Sequence, residues 1–127
     1  MTEADAFSNW LGIEHLERNT GYSRIKMVVR PEMVNGFGIA HGGITYSLAD
    51  SAFAFASNSQ GRKAVSIETS ISHLAAVHVS DTLIAVAQQV SLTHRVGVYI
   101  IEITNQDGKK VAHFKGTVYR SSTEWDV

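Results

Sequence analysis

The stretch Ile44-Thr-Tyr-Ser-Leu-Ala-Asp-Ser-Ala-Phe-Ala-Phe-Ala-Ser57 decides the fold. It is too long for an average strand and rich in alanine, the best helix former, so it predicts one long helix. Ile44, Leu48, Ala49, Ala52, Phe53, Ala54, Phe55 and Ala56 cover more than one stripe of that helix, which predicts burial nearly all round. Its length and the polar residues within it exclude a membrane span. On either side the hydrophobic period changes to two. Upstream, Ile25, Met27 and Val29 alternate with Lys26, Val28 and Arg30, predicting a half-buried strand over 22–30 that Pro31 closes. Downstream, Val65, Ile67, Thr69 and Ile71 alternate with Ser66, Glu68, Ser70 and Ser72, and further strands are predicted over 82–92, 97–104 and 111–120. Asp107-Gly108 reads as a two-residue hairpin turn between the last two, and residues 4–11 as a short helix. An α+β fold, an antiparallel sheet twisted around one long central helix, accounts for this order, the alanines letting sheet and helix approach closely.

The chain of 127 residues has the length of a single domain, 1–127, with no linker or repeat to suggest a second. At this size a core forms without staples, and with Cys 0 neither disulfides nor thiol chemistry is available. Eleven basic against 12 acidic side chains leave a net charge of -1 with no basic block, which argues against nucleic acid or anionic membrane as a partner. Charged residues are 18% of the chain, against roughly 25% in typical soluble domains. That shortfall predicts an oligomer. The first ten residues, MTEADAFSNW, lack the basic start and apolar run of a signal peptide, so a cytoplasmic protein is expected.

Between His41 and Arg62 the only carboxylate is Asp50, inside the most apolar part of the chain. An acid in that setting is either a functional group with a raised pKa or a structural one accepting hydrogen bonds, here from backbone, Ser47 or Tyr46. His41-Gly42-Gly43 falls where the helix starts, with backbone N–H groups that lack intrahelical partners and point outward with the positive end of the dipole. Such a start suits an oxyanion, and the side chains of Asn35 and His41 add donors beside it. The alternative is that Gly36, Gly38, Gly42 and Gly43 merely permit a tight turn. Eight residues separate Gly42 from Asp50, a helical rise of about 12 Å, too far for both to touch one carbonyl. Two helices side by side around a two-fold axis would bring Asp50 of one copy to Gly42 of the other, making two shared sites.

Other motifs fail. Gly36-Phe-Gly-Ile-Ala-His41 is a broken G-x-G-x-x-G without the βαβ units a dinucleotide fold needs, and neither a G-x-S-x-G nor a Walker A sequence is present. The six histidines, His15, His41, His73, His78, His94 and His113, show no i, i+4 pair and have no companion cysteines, so no metal is expected and most read as ordinary strand or loop residues. Arg62, Lys63 and Arg95 are candidates for the phosphates of a large anionic ligand, with His94-Arg95 at a strand-to-strand turn, although solvated surface charge explains each of them as well. Phe37, Tyr46, Phe53 and Phe55 read as plain core, with an aromatic pocket as the alternative.

The run Asn35-Gly-Phe-Gly-Ile-Ala-His-Gly-Gly-Ile-Thr-Tyr-Ser-Leu-Ala-Asp50 resembles the hotdog-fold acyl-CoA thioesterases, particularly the phenylacetyl-CoA thioesterase group. The resemblance extends from Trp10-Leu-Gly-Ile13 through Ala64-Val-Ser-Ile67 to Gly116-Thr-Val-Tyr119. It implies the hotdog fold and hydrolysis of acyl-CoA thioesters without a cofactor, in dimers and commonly tetramers, with phenylacetyl or hydroxyphenylacetyl as the favoured acyl groups. It further implies that Asp50 is the general base or nucleophile, that Gly42 N–H and Asn35 polarise the carbonyl, that His41 orients the site and that Ser66 helps to position water. Two departures are Ala75, where many relatives have proline, and Ser80, where a glycine is frequent; both bear on loop geometry rather than on the reaction. The rival readings are a dehydratase or hydratase of the same fold, which would use a histidine and acid pair on the β-carbon, and a non-catalytic acyl-CoA binding module.

Overall fold

The computed structural model describes residues 5–124. Helix α1, Ala6–Leu11, starts at Asp5, whose carboxylate accepts the Ser8 N–H at 3.1 Å and the Ser8 hydroxyl at 2.6 Å. The expected helix began two residues earlier, at Ala4, which lies outside the described residues. Gly12 ends α1 with φ 76°, and β1, Glu14–Asn19, turns into β2, Tyr22–Val28. Ile25, Met27 and Val29 are buried as the period-two pattern requires. The strand itself stops at Val28 rather than Arg30, because Val29 bonds out of register with the loop at Ser80 and Asp81. Pro31–Met33 then forms one 3-10 turn.

Helix α2 runs over Gly42–Ser57 and lies against a six-stranded sheet completed by β3, Arg62–His73, β4, Thr82–Leu92, β5, Val96–Thr104, and β6, Lys110–Glu124. All pairings are antiparallel, in the order β1-β2-β4-β5-β6-β3. The later strands therefore do not pair in chain order. After α2 the chain takes the far edge first, as β3, and fills the middle of the sheet with β4 and β5 before β6 returns beside β3.

Leu48, Ala49, Ala52, Phe53, Phe55 and Ala56 form the buried side of α2, packed on Ile25, Leu83, Ala85, Ala87, Ile101 and Phe114 from the sheet. Small residues set the spacing. The Ser23 hydroxyl donates to the Ala52 carbonyl at 2.7 Å, and the Phe53 ring lies so close over Gly116 that a Cβ there would stand 2.6 Å from it. Burial nearly all round is nevertheless not what the helix has: Ser47, Asp50, Ser51 and Ala54 are only partly covered and Gly43 is exposed. One stripe of small and polar residues stays open.

Two turn and strand expectations need correction. The β5–β6 connection is not a two-residue turn on Asp107-Gly108. Asn105 N–H bonds to the Lys109 carbonyl, Gly108 N–H bonds back to Asn105, and Gly108 alone has positive φ, 75°. This is the longer type I turn followed by a left-handed glycine. The alternation in β3 also breaks. Ser66 pairs with Val118 while Glu68 pairs with Thr117, so the intervening Ile67 is a β-bulge. Cross-strand partners share a face, and after Val111 the buried residues of β6 are Ala112, Phe114, Gly116 and Val118. Ser66, Thr69, Ile71 and His73, which pair with them, consequently face the helix. Val65 and Ile67, expected on the same face as Thr69 and Ile71, are about 60% exposed.

Candidate active site

The first turn of α2 makes one half of the site. His41 is the N-cap with extended backbone, φ -55° and ψ 139°, and Gly42 is the first helical residue. The preceding loop is held by Asn35, whose Oδ1 accepts the Phe37 N–H at 2.8 Å and the Ile39 N–H at 3.4 Å. That use orients the side-chain amide and leaves its Nδ2, the donor end, to a ligand. Asn35 and Gly42 line one cavity of about 400 Å³, with Thr45, His73 and the apolar segment 74–77. Gly38, with φ 78°, is a turn-former, whereas Gly42 has no positive φ and presents an N–H that the helix does not use. His41 does not join them through its side chain, which lines a separate cavity of about 360 Å³ with Phe7, Met33, Ile44 and Ser47.

Asp50 makes the other half. It sits on the open stripe of α2, two turns along, and lines a small pocket of about 100 Å³ with Phe53, Ser57, Asn58, Ala64, Ser66 and Val118. The structural reading of Asp50 fails: the Ser47 hydroxyl donates to the Gly43 carbonyl at 2.6 Å, the Tyr46 hydroxyl bonds Thr69 at 2.6 Å, and no hydrogen bond or ion pair holds Asp50 among the described residues. Burial pushes its carboxyl above the ordinary value of 3.8, with no neighbouring cation to offset the lost hydration. Ser66 reaches this pocket because Ala64 and Ser66 lie on the helix side of the bulge. Asn35 and Gly42 are thus together, as are Asp50 and Ser66, but the two pairs occupy different cavities.

His94 and Arg95 lie in the β4–β5 turn, both exposed, and neither lines the cavity of Gly42 or of Asp50. Arginines hold that turn through its backbone: Arg62 donates to the His94 carbonyl at 2.6 Å and Arg120 to the Thr93 carbonyl at 2.7 Å. A concentration of positive charge results at one end of the sheet. Ala75 lies in the wall of the Asn35–Gly42 cavity, so that departure does touch the site. The residue that sequence reasoning passed over is His73, whose ring packs on Gly42 with Nε2 3.2 Å from where a Cβ would be. Its position depends on the β3 bulge, which strict alternation does not anticipate. Among the described residues no cluster of three or more histidines and carboxylates is placed to hold a metal ion.

A helix in an antiparallel sheet, an N–H-lined cavity at the helix start and an acid on its open face define a hotdog-fold hydrolase site. The chain belongs to the thioesterase superfamily, whose model matches residues 37–112, and is a thioester-hydrolysing enzyme of that class. It is 43% identical to the acyl-coenzyme A thioesterase PaaI of Escherichia coli, over 94% of this chain and 86% of that one. The structure of the Escherichia coli PaaI protein from the phenylacetic acid degradation operon superposes with a TM-score of 0.96, covering 98% of this chain and 90% of the other at 42% identity. A variant of the phenylacetic acid degradation protein PaaI from Thermus thermophilus superposes at 0.89 with 37% identity, over 92% of this chain and 100% of the other. A Streptococcus mutans protein solved with bound acetyl-CoA superposes at 0.86 with 26% identity, over 89% of this chain and 91% of the other. These findings bear out both the expected fold and the family resemblance.

Proposed function

We propose that this chain hydrolyses acyl-CoA thioesters to the free acid and CoA, with aryl-acyl groups such as phenylacetyl or hydroxyphenylacetyl preferred, at sites shared between two copies in a dimer, itself paired into a tetramer. The observation that carries the mechanism is the partly buried Asp50 carboxylate with no structural partner among the described residues, set apart from the Asn35–Gly42 cavity. Gly42 N–H and the Asn35 amide of one protomer polarise the thioester carbonyl. The partner's Asp50 either takes a proton from water as it attacks that carbon or attacks the carbon itself, and Ser66 holds the water. The carbon–sulfur bond then breaks: in the first route the proton taken up by Asp50 passes to the leaving thiolate, and in the second water hydrolyses the acyl–Asp50 anhydride to the free acid and supplies the thiolate's proton. His41, as the N-cap, orients the loop that carries both donors. Arg95 and His94 meet the phosphates of CoA, where charge at the turn favours an anion. The reaction needs no cofactor and belongs to the cytoplasm. The relatives' acyl-CoA thioesterase name and the acetyl-CoA in the Streptococcus structure support the substrate class.

Thiol release from phenylacetyl, hydroxyphenylacetyl, benzoyl and straight-chain CoA thioesters, measured beside Asp50→Asn, tests this reading. Release by wild type that falls in the variant by a factor of about 10² to 10⁴ is expected. Intact ligand recovered by mass spectrometry would instead indicate a binding module, and a gain of about 18 mass units on an α,β-unsaturated acyl-CoA, one water added across its double bond, a hydratase.

A further inference from the structure

Resting on the thioesterase reading, we infer that His73 is a third donor to the substrate carbonyl, its imidazole completing the polar set that Asn35 and Gly42 begin. Four observations converge on it. First, β3 turns this side chain to the helix side of the sheet: the bulge at Ile67 changes the parity of the strand, and His73, its exposed last residue, pairs with the buried Ala112. Second, the ring stands against Gly42, with Nε2 3.2 Å and Cε1 3.4 Å from the place a Cβ would occupy. A Cβ lies about 2.5 Å from its own backbone nitrogen, so Nε2 and the Gly42 N–H flank the same small volume. Third, that volume opens into the cavity of about 400 Å³ shared with Asn35 and Thr45. Fourth, no described residue makes a hydrogen bond or ion pair with the His73 ring, so its N–H is not engaged in holding the fold.

The electrostatics of the place favour this role. Among the described residues His73 is the only ionisable side chain lining the cavity. An imidazole has an N–H to donate in either protonation state. Negative charge that develops on the carbonyl oxygen as the carbon is attacked strengthens that bond in the transition state, more than in bound substrate. Loss of the donor therefore acts on kcat more than on KM.

The test compares His73→Phe, which fills the space without a donor, with His73→Gln, whose amide places an N–H near the position of Nε2. Both are assayed by thiol release from the best acyl-CoA substrate at neutral pH beside wild type, with folding checked by circular dichroism. We expect His73→Phe to lose roughly 10² in kcat with KM changed less than about threefold, and His73→Gln to recover most of it. A His73→Phe enzyme with wild-type kcat, or a His73→Gln enzyme as slow as the Phe variant, would overturn the inference while leaving the thioesterase reading intact. Absence of thiol release from wild type would overturn both.

Discussion

At the scale of single residues, Asp50 stands apart. A carboxylate on a mostly buried helix that nothing else in the described chain uses is kept at a cost, and its pKa is raised by lost hydration alone. Two consequences are measurable. As base or nucleophile it must be ionised, so activity falls on acidification through a midpoint above the ordinary carboxylate value, and a kcat/KM profile with its acid limb at or below 3.8 would contradict this. The folded state also binds that proton more tightly than the unfolded chain. The stabilising contribution is therefore complete below the unfolded pKa and lost as pH rises through the folded one. Asp50→Asn, inactive, is expected to melt no lower than wild type at pH 7, with any advantage vanishing in acid. Ser80 is the second informative residue. It replaces a glycine frequent in relatives and is the one described non-glycine residue with positive φ, 74°, in the turn closed by Ser80 N–H on Val29 and His78 N–H on Asp81. Ser80→Gly should raise stability by about 1 kcal/mol in denaturant titration, and an unchanged midpoint would show that Ser80 carries no strain.

At the scale of elements, α2 and β3 divide what sequence makes legible from what it does not. The helix is plain from its length and alanine content, and its polar residues mark the open stripe, although counting apolar positions alone overstates the burial. Strands β2, β4, β5 and β6 follow local alternation. In β3 one extra residue, Ile67, defeats that reading, because a bulge is decided by pairing with β6 and leaves no local signature. Ser66 was accessible through family likeness, whereas His73 was not accessible through periodicity. The strand order is equally non-local. If Ile67 is the extra residue, deleting it leaves Ser66 opposite Val118 and Glu68 opposite Thr117 in a regular ladder. Deleting Ser70 instead turns Ile71 and His73 outward. The first deletion should lower Tm much less than the second, and equal losses would refute the bulge assignment. At the helix–sheet contact, Gly116→Ala would drive a methyl to within 2.6 Å of the Phe53 ring, and overpacking of that kind costs roughly 1–3 kcal/mol.

At the scale of the whole molecule, the proposed site is incomplete in one chain. The carbonyl donors line one cavity and the acid another, separated by two turns of a rigid helix, and no side-chain rotation spans the gap of about 12 Å. In the proposed dimer two copies with their α2 stripes facing each other would close it, and the low charged fraction of the chain agrees with such pairing. Gly42 is the first helical residue after an extended His41, a position that accepts proline, so Gly42→Pro removes the proposed donor N–H at little conformational cost, provided the His73 ring yields a few tenths of an ångström. On its own this variant should lose about 10² to 10³ in kcat. The most direct test of a shared site is to dissociate Gly42→Pro and Asp50→Asn enzymes, mix them in equal amounts and let them re-pair, following mixed dimers by native mass spectrometry and thiol release by absorbance. Each mixed dimer carries one site with both lesions and one with neither, so two inactive proteins should recover about a quarter of wild-type turnover. Mixed dimers that form and remain as inactive as their parents would place the whole site within a single chain and contradict the account.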